Sequence, residues 1–411
     1  MLTRRIFLRG SAVVLAGMGA VPSWLARAAS TEGKKRKILV VIFQRGAADG
    51  LNIVIPFSEK RYRDLRPTLA IAPPNSQTPA NGVINGNAID LDGRFALNGA
   101  MQPLKSLWDK QQLAIIQATG SPDNSRSHFD AQDSMESGTP GKTSGDGWLN
   151  RALPPAGSDT SPLRAVAMGK QVSRTLRGER DAIAVGDPQQ FNMGNQNAAS
   201  ILETMYATSA DTKWGRTGKG AFEAMKLIQS LNQNAYNPGP GPLYGQGGEL
   251  GRSLQQLARL IKADAGIEAA FAEIDGWDHH GNENPQLSNM LRQFSNALAG
   301  FSQDMGDRME DVVMVTMSEF GRTVEENGNS GTDHGHGSMM MVLGGPVKGG
   351  KVYGKWPGLE KEQLFEGRDL AVTTDFRTVL SELIREHLGQ KDLGTVFPGF
   401  QPGDPLGLLR S

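Results

Sequence analysis

Five apolar runs along the chain predict the strands of a buried sheet. The run at 37–43 is continuous and rich in β-branched residues, which is typical of a strand covered on both faces. Similar runs lie at 113–118, 267–274, 312–317 and 339–343, and glycine or polar residues follow each of them. We therefore expect one sheet whose strands are buried on both sides.

Large apolar residues at helical spacing separate these runs. One apolar face repeats over 250–261 and another over 287–301, and a third predicted helix opens at Thr374-Asp375 and closes at Leu388-Gly389. Strands that alternate with helices predict an α/β fold with a mostly parallel central sheet and helices on both faces. The stretches predicted as surface loops, all rich in Gly, Pro or Asn, are 73–93, 138–160 and 234–248.

The first 28 residues are predicted to be a signal peptide. Residues 3–9 resemble the twin-arginine export motif, an uncharged stretch follows over 10–26, and Ala26-Arg27-Ala28 fits a small-x-small cleavage site. We expect export to the periplasm or beyond, with 29–411 as a single domain and no stable membrane span after cleavage. The alternative is an uncleaved anchor, although the 17 uncharged residues are marginal for crossing about 30 Å of hydrocarbon.

Charge and composition exclude several classes of protein. The chain has 43 basic and 43 acidic residues, and removal of the signal peptide takes away four arginines and no acid, which leaves a net charge of −4. Without an excess of basic residues we expect no nucleic-acid partner. The absence of cysteine excludes disulfides, cysteine-ligated zinc, iron–sulfur clusters and thiol catalysis.

The histidines are concentrated in three short loops that also carry carboxylates. Five of the six lie there, as His128, the pair at 279–280 and the pair at 334 and 336, whereas His387 falls in the last predicted helix, where we expect a surface or cap role. Loops at the carboxyl ends of parallel strands share one edge of a sheet, so these groups are expected to converge. Imidazole mixed with carboxylate suits zinc, manganese or iron. The predicted metal-binding residues are Asp49, Asp278, His280, Glu319, His334 and His336, with the choice between the last two left open.

Six segments of the chain carry a resemblance to a known family. They are Gly46 to Asn52, Asp92-Gly93-Arg94-Phe95, Ser127-His128-Phe129-Asp130, Gly276-Trp277-Asp278, Ser318 to Thr323, and Asp333-His334-Gly335-His336-Gly337. On these segments the mature chain resembles an exported bacterial family of uncharacterised function that is grouped with the alkaline phosphatase and sulfatase superfamily. The resemblance implies an alkaline-phosphatase-like fold and one or two divalent ions, zinc or manganese.

The resemblance to the wider superfamily also implies roles for single residues. Asp49 matches a metal-binding Asp after the first strand, and Asp278 with His280 matches a later Asp and His. Glu319 matches the acid that ends another strand, His334 or His336 matches a final histidine ligand, and Asp375 matches the Asp that leads a closing helix. Ser127 stands where the superfamily places a nucleophile that opens a helix.

Two departures from the superfamily pattern concern the same region. Phe320 stands where a histidine ligand is common, unless His128 takes its place. His128 also competes with Ser127 for the position of the nucleophile. The alternative role for Ser127 is a helix N-cap, a common position for serine.

The predicted function is an exported metal-dependent hydrolase of small phosphate or sulfate esters. Arg126 and Arg322 are predicted to clamp the substrate oxygens, and the alternative makes each a surface or ion-pair residue. Two other classes of protein compete with this function. One is a binding or scaffold protein that a metal stabilises without catalysis, and the other is a lectin-like adhesive protein, in which the clustered histidines would have no role.

Overall fold

A computed structural model describes residues 37–77, 86–142, 144–157, 160–186, 213–232, 236–238 and 243–410 of the chain. The predicted signal peptide lies outside these residues. Within them, no helix is both long and apolar enough to cross a membrane.

The strands form a large central sheet and a small second one. The strands are β1 (Ile38–Gln44), β2 (Val54–Ile55), β3 (Ile89–Asp90), β4 (Ala96–Leu97), β5 (Leu113–Gly120), β6 (Ala165–Ala167), β7 (Ile183–Ala184), β8 (Ala269–Ile274), β9 (Val312–Met317), β10 (Ser338–Gly344), β11 (Lys351–Tyr353) and β12 (Thr374–Asp375). Among the described residues, nine strands form the central sheet in the order β11-β5-β10-β9-β1-β8-β6-β7, with β12 also paired to β5. The small sheet has the order β2-β4-β3 and is antiparallel.

The central sheet is parallel except for one strand. β1 runs parallel to β8 and β9, whereas β10 runs antiparallel to both of its neighbours, β5 and β9. The reversed direction places the start of β10 at the edge where the other strands end. Ser338 pairs with Thr119, and Gln44 pairs with Ile274, all at this edge. The loop before β10 therefore lies at the same edge of the sheet as the loops that follow β1, β5, β8 and β9.

The helices cover both faces of the central sheet. They are α1 (Gly50–Ile53), α2 (Lys60–Leu65), α3 (Gln102–Asp109), α4 (His128–Ser137), α5 (Trp148–Ala152), α6 (Lys213–Asn232), α7 (Gly248–Lys262), α8 (Glu283–Met305), α9 (Phe376–Glu386) and α10 (Leu393–Val396). Short 3-10 turns lie at Gly99–Met101, Arg174–Leu176, Leu243–Gln246, Gly306–Asp311 and Lys361–Gln363.

Alternate residues of β1 show how the two faces are covered. Ile38, Val40 and Ile42 belong to a core that also contains the apolar faces of α7 and α8. Leu39, Val41 and Phe43 point to the opposite core, which contains α5 and α9. Burial of each such side chain contributes about 1.5–3 kcal/mol relative to exposure. The predicted α/β fold, with a mostly parallel sheet and helices on both faces, is confirmed.

Several predicted elements differ from the observed ones in detail. The third predicted strand begins at Ala269 rather than at 267, and the stretch 138–160, predicted as loop, contains helix α5. Of the two roles expected for His387, the surface role is wrong, whereas the cap role is confirmed because His387 is the C-cap residue of α9. Its ring is buried at the end of α9, and its Nε2 donates to the carbonyl of Ile38 over 3.0 Å, which is what draws it inward.

Candidate metal centre

His128 is placed at the edge of the sheet by the start of helix α4. The helix begins here because the Oγ of Ser127 accepts the N–H of Asp130 over 3.5 Å, although that bond is long. The Nδ1 of His128 donates to Oε1 of Glu319 over 2.8 Å. Glu319 follows strand β9 and is buried, so this bond fixes the orientation of an imidazole ring that is itself partly exposed.

The other two imidazoles are oriented in the same way. Nδ1 of His280 lies 3.1 Å from Oδ1 of Asp333, and Nδ1 of His334 lies 2.9 Å from the carbonyl oxygen of Arg126. Carbonyl and ionised carboxylate oxygens only accept hydrogen bonds, so these partners assign the proton of each neutral ring to Nδ1. Each Nε2 therefore keeps a free lone pair, which is the form of histidine that binds metals.

These lone pairs face one another. Nε2 of His334 lies 3.1 Å from Nε2 of His128 and 3.0 Å from Nε2 of His280. Two unprotonated nitrogens cannot hydrogen-bond to each other, so a proton on one ring or a cation between the rings would stabilise contacts of this length. The arrangement is the one that a metal ion would stabilise.

Asp278 adds a carboxylate to the three imidazoles. Its Oδ1 lies 3.0 Å from Nε2 of His280 and 3.2 Å from Nε2 of His334, and its Oδ2 lies 3.5 Å from Nε2 of His128. One ligand atom on each of His128, Asp278 and His334 lies within 4.8 Å of the other two. These donors fit a transition ion such as zinc or manganese. We call His128, Asp278, His280 and His334 the His/Asp group.

Hydrogen bonds and burial set the protonation of the His/Asp group. The bond to Glu319 raises the pKa of His128 above its ordinary value, whereas burial lowers the pKa of His334. Burial acts upward on the pKa of Asp278, but the hydrogen bond and charge of Arg322 outweigh it and lower that pKa. Asp278 is therefore ionised and His334 neutral near pH 7, which are the metal-binding forms of both.

The His/Asp group is open to solvent on one side and buried on the other. The side chains of Asp278 and His280 are 42% and 45% exposed, whereas that of Glu319 is fully buried. Structural zinc sites are closed by four protein ligands, and catalytic sites keep an accessible position. The exposure of two members makes the group accessible to solvent from one side.

Two glycines allow the loops of the site to pack backbone against backbone. A Cβ on Gly335 would lie 2.4 Å from the carbonyl carbon of Arg322, and one on Gly321 would collide with the carbonyl of Gly337. This close approach lets Arg322 and His334 form an isolated β-bridge. The bridge fixes His334 toward His128 and His280.

The structure brings together most, but not all, of the predicted metal-binding residues. Asp278, His280 and His334 belong to the His/Asp group, and Glu319 contacts it through the ring of His128. Asp49 is buried and accepts two hydrogen bonds from Arg66. His336 is also buried, and its ring stacks on Phe365 with 4.2 Å between the ring centres. Neither Asp49 nor His336 is part of the group.

The residues predicted for catalysis have other partners in the structure. His128 belongs to the His/Asp group, and its ring stacks on Phe320 with 5.0 Å between the ring centres. Arg126 pairs with Glu366 at 2.6 Å and with Asp369 at 2.7 Å.

Arg322 is buried and links Asp278 to Thr332 through hydrogen bonds. Its Nη1 donates to Oδ1 of Asp278 over 2.6 Å, its Nε donates to Oγ1 of Thr332 over 3.1 Å, and its Nη2 donates to the carbonyl of Thr332. With no exposed surface, Arg322 contacts the Asp278 carboxylate rather than solvent.

Sequence reasoning missed three residues that support the site. Asp333 orients His280, and its place directly before His334 in a glycine-flanked loop is a signal that could have revealed it. Arg66 and Glu283 carry no motif. Their contacts with Asp49 are visible only in the folded chain.

Comparison with known proteins places the chain in a family. Residues 36–394 match the family described as "Protein of unknown function (DUF1501)", and the chain belongs to that family. No curated protein matches the sequence. Among solved structures, the chain is similar to the PsFucS1 sulfatase from Pseudoalteromonas sp., at 10% identity and a TM-score of 0.33, over 81% of this chain and 68% of the sulfatase chain. A likeness this distant says nothing about the chemistry of the His/Asp group.

Proposed function

We propose that the chain is an exported metal-dependent hydrolase of phosphate or sulfate esters whose ion is held by His128, Asp278 and His334 of the His/Asp group, so that three protein ligands leave a further position on the ion open. The observation that carries the proposal is the orientation of the three imidazoles. Every Nδ1 has an oxygen acceptor, and the Nε2 atoms of His128, His280 and His334 are left facing Asp278. Such outer partners of ligating histidines are a regular feature of metal sites.

An open position beside the group supports catalysis rather than structure alone. A divalent ion bound there would polarise an ester oxygen and lower the pKa of a nearby hydroxyl. Ser127 precedes His128, and its Oγ accepts the N–H of Asp130, so the helix makes no use of its O–H proton. Ser127 is therefore our proposed nucleophile.

Phe129 supports esters with an apolar leaving group. It directly follows His128, and 86% of its surface is exposed although the side chain is large and apolar. We propose that an aryl group of the substrate packs on Phe129, since this residue is adjacent in sequence to His128 of the His/Asp group. Aryl phosphates and sulfates are thus the substrates to test first.

Export rests on the sequence alone. The twin-arginine motif at 3–9 lies outside the described residues, and we propose that it directs the folded chain to the periplasm or beyond.

A scaffold protein that a metal stabilises without catalysis is the second candidate. The ion pairs of the two arginines that were predicted to bind the substrate favour this candidate. Arg126 is paired with Glu366 and Asp369, and Arg322 is buried against Asp278, so neither guanidinium is free for an anionic ester.

Turnover separates the two candidates. Mature protein loaded with zinc or manganese would be assayed on nitrophenyl phosphate and nitrophenyl sulfate, with chelator-treated protein as the blank. The proposal predicts metal-dependent turnover of one ester, lost in His334→Ala and retained in His336→Asn, a matched change in the same loop outside the group. Bound metal without turnover of either ester would favour the scaffold.

A further inference from the structure

Asp49 already has a cation bound to it. Nη1 of Arg66 donates to Oδ2 of Asp49 over 2.5 Å, and Nη2 donates to Oδ1 over 3.0 Å, so both carboxylate oxygens are engaged. The guanidinium has no exposed surface and also donates to the carbonyls of Thr323 and Val324. A guanidinium held by this many bonds cannot leave without uncovering several buried acceptors, which is costly.

A second buried carboxyl completes the pocket around Asp49. Oε2 of Glu283 accepts the hydroxyl of Thr332 over 2.7 Å, whereas Oε1 receives no N–H or O–H from the part of the chain that the structure describes. Burial and the negative charge of Asp49 raise the pKa of Glu283 well above its ordinary value. Burial beside another carboxylate therefore favours the neutral form of Glu283.

Asp49 already has a counter-charge in this pocket. The buried guanidinium of Arg66 contributes one positive charge in direct contact with both carboxylate oxygens of Asp49. Burial acts upward on the pKa of Asp49, but the charge and hydrogen bonds of Arg66 keep that pKa lowered. A divalent ion added here would meet a buried positive charge that already occupies both carboxylate oxygens of Asp49.

The pocket is also connected to the metal centre. Thr332 donates to Glu283 and accepts the Nε–H of Arg322, and Arg322 donates to Asp278 of the His/Asp group. Each link is a direct hydrogen bond between buried or partly buried groups. The pocket thus braces the carboxylate that would bind the ion.

We infer that Arg66 supplies, from within the chain, the positive charge that the family resemblance assigns to a metal ion at Asp49, so that the chain binds one ion and not two. The inference rests on the metal centre proposed above. Asp49 is then part of the support for Asp278 and makes no contact with the ion.

Metal stoichiometry tests this inference without any need for turnover. Zinc content per chain and zinc affinity against a competing chelator would be measured for the mature protein, Asp49→Asn and Asp278→Asn. We expect one zinc in the wild type, one zinc in Asp49→Asn with affinity within about threefold, and a loss of about 100-fold or more in Asp278→Asn, since ligand loss exceeds the cost of losing an outer partner. Two zinc ions in the wild type would overturn the inference.

A second variant keeps the test informative if Asp49→Asn does not fold. Asp49→Asn leaves the buried Arg66 without its counter-charge, so the double variant Asp49→Asn/Arg66→Met, which removes both charges, would be measured as well. Retention of one zinc in whichever of the two folds, judged by circular dichroism, supports the inference. Loss of the zinc from a folded variant contradicts it. The result stands whether or not the wild type hydrolyses an ester.

Discussion

The Nδ1–H of His128 points at Oε1 of Glu319 across 2.8 Å, and the two residues lie far apart in sequence. Glu319 is held in turn by the backbone N–H of Gly46 at 2.9 Å and by Nε2 of Gln132 at 2.8 Å. Burial acts upward on the pKa of Glu319, but the bonds from His128 and Gln132 outweigh it and lower that pKa. The carboxylate is therefore ionised and fixes which nitrogen of His128 faces the His/Asp group.

Glu319→Gln should weaken metal binding while leaving all four members of the His/Asp group in place. The amide keeps the shape of the side chain but loses the charge that orients His128 and makes its ring more basic. We expect zinc affinity to fall about 10- to 100-fold, as is usual for an outer partner. Glu325→Gln, an exposed change in the following loop, is the matched control and should bind zinc like the wild type. Equal affinity in both variants would contradict this role.

Two substitutions of Ser127 separate its roles as nucleophile and as helix cap. Ser127→Ala should lower the free energy of unfolding by about 1 kcal/mol because the cap is lost. Ser127→Asp should keep the stability, since Asp caps as well as Ser. Both should abolish ester turnover in the metal-loaded protein. Full turnover in Ser127→Ala would show that Ser127 acts only as a helix cap and not as the nucleophile.

Much of this fold could be predicted because its strands are buried on both faces. A strand such as β1 must then be apolar at every position, which gives a continuous run instead of an alternating pattern. The direction of β10 is not encoded in this way. The apolar run of β10 would be the same in a parallel or an antiparallel strand. Only the pairing of β10 with β5 and β9 determines its direction.

Part of the site could also be predicted, because its residues follow the predicted strands. Clustered histidines in loops after strands indicate convergence, and His280 and His334 do meet at Asp278. The choice between His334 and His336 depends on the bridge between His334 and Arg322, a contact between two loops that no local pattern reveals. The pairing of Asp49 with Arg66 could not be predicted either, because it also depends on a contact that no local sequence pattern reveals.

Stability should depend on pH through His387. Burial lowers the pKa of His387 from 6.5 to about 4 in the folded chain. The unfolded chain binds this proton more readily, so the stability from the neutral ring is complete above pH 6.5 and is lost as the pH falls toward 4. That loss amounts to about 3 kcal/mol.

His387→Gln isolates this effect, since glutamine keeps an N–H for the carbonyl of Ile38 and does not titrate. Denaturant unfolding of chelator-treated protein at pH 7, 5.5 and 4.5 should show a smaller loss of stability in the variant than in the wild type. Parallel curves for the two proteins would argue against a buried neutral ring.

Export should depend on the paired arginines near the N-terminus. Replacing Arg4 and Arg5 together by Lys keeps the charge but removes the two side chains that define the export motif. We expect the full-length precursor to stay in the cytoplasm, whereas the wild type is cleaved near Ala29. Fractionation and N-terminal sequencing would measure this, and normal export of the double variant would disprove twin-arginine transport.

The most direct test of the metal centre is an anomalous difference map, measured on both sides of the zinc absorption edge, from crystals of the zinc-loaded mature protein. We predict one strong peak per chain, about 2.0–2.2 Å from Nε2 of His128, from Nε2 of His334 and from a carboxylate oxygen of Asp278. A map with no peak among these residues, or with its peak on Asp49, would contradict the account.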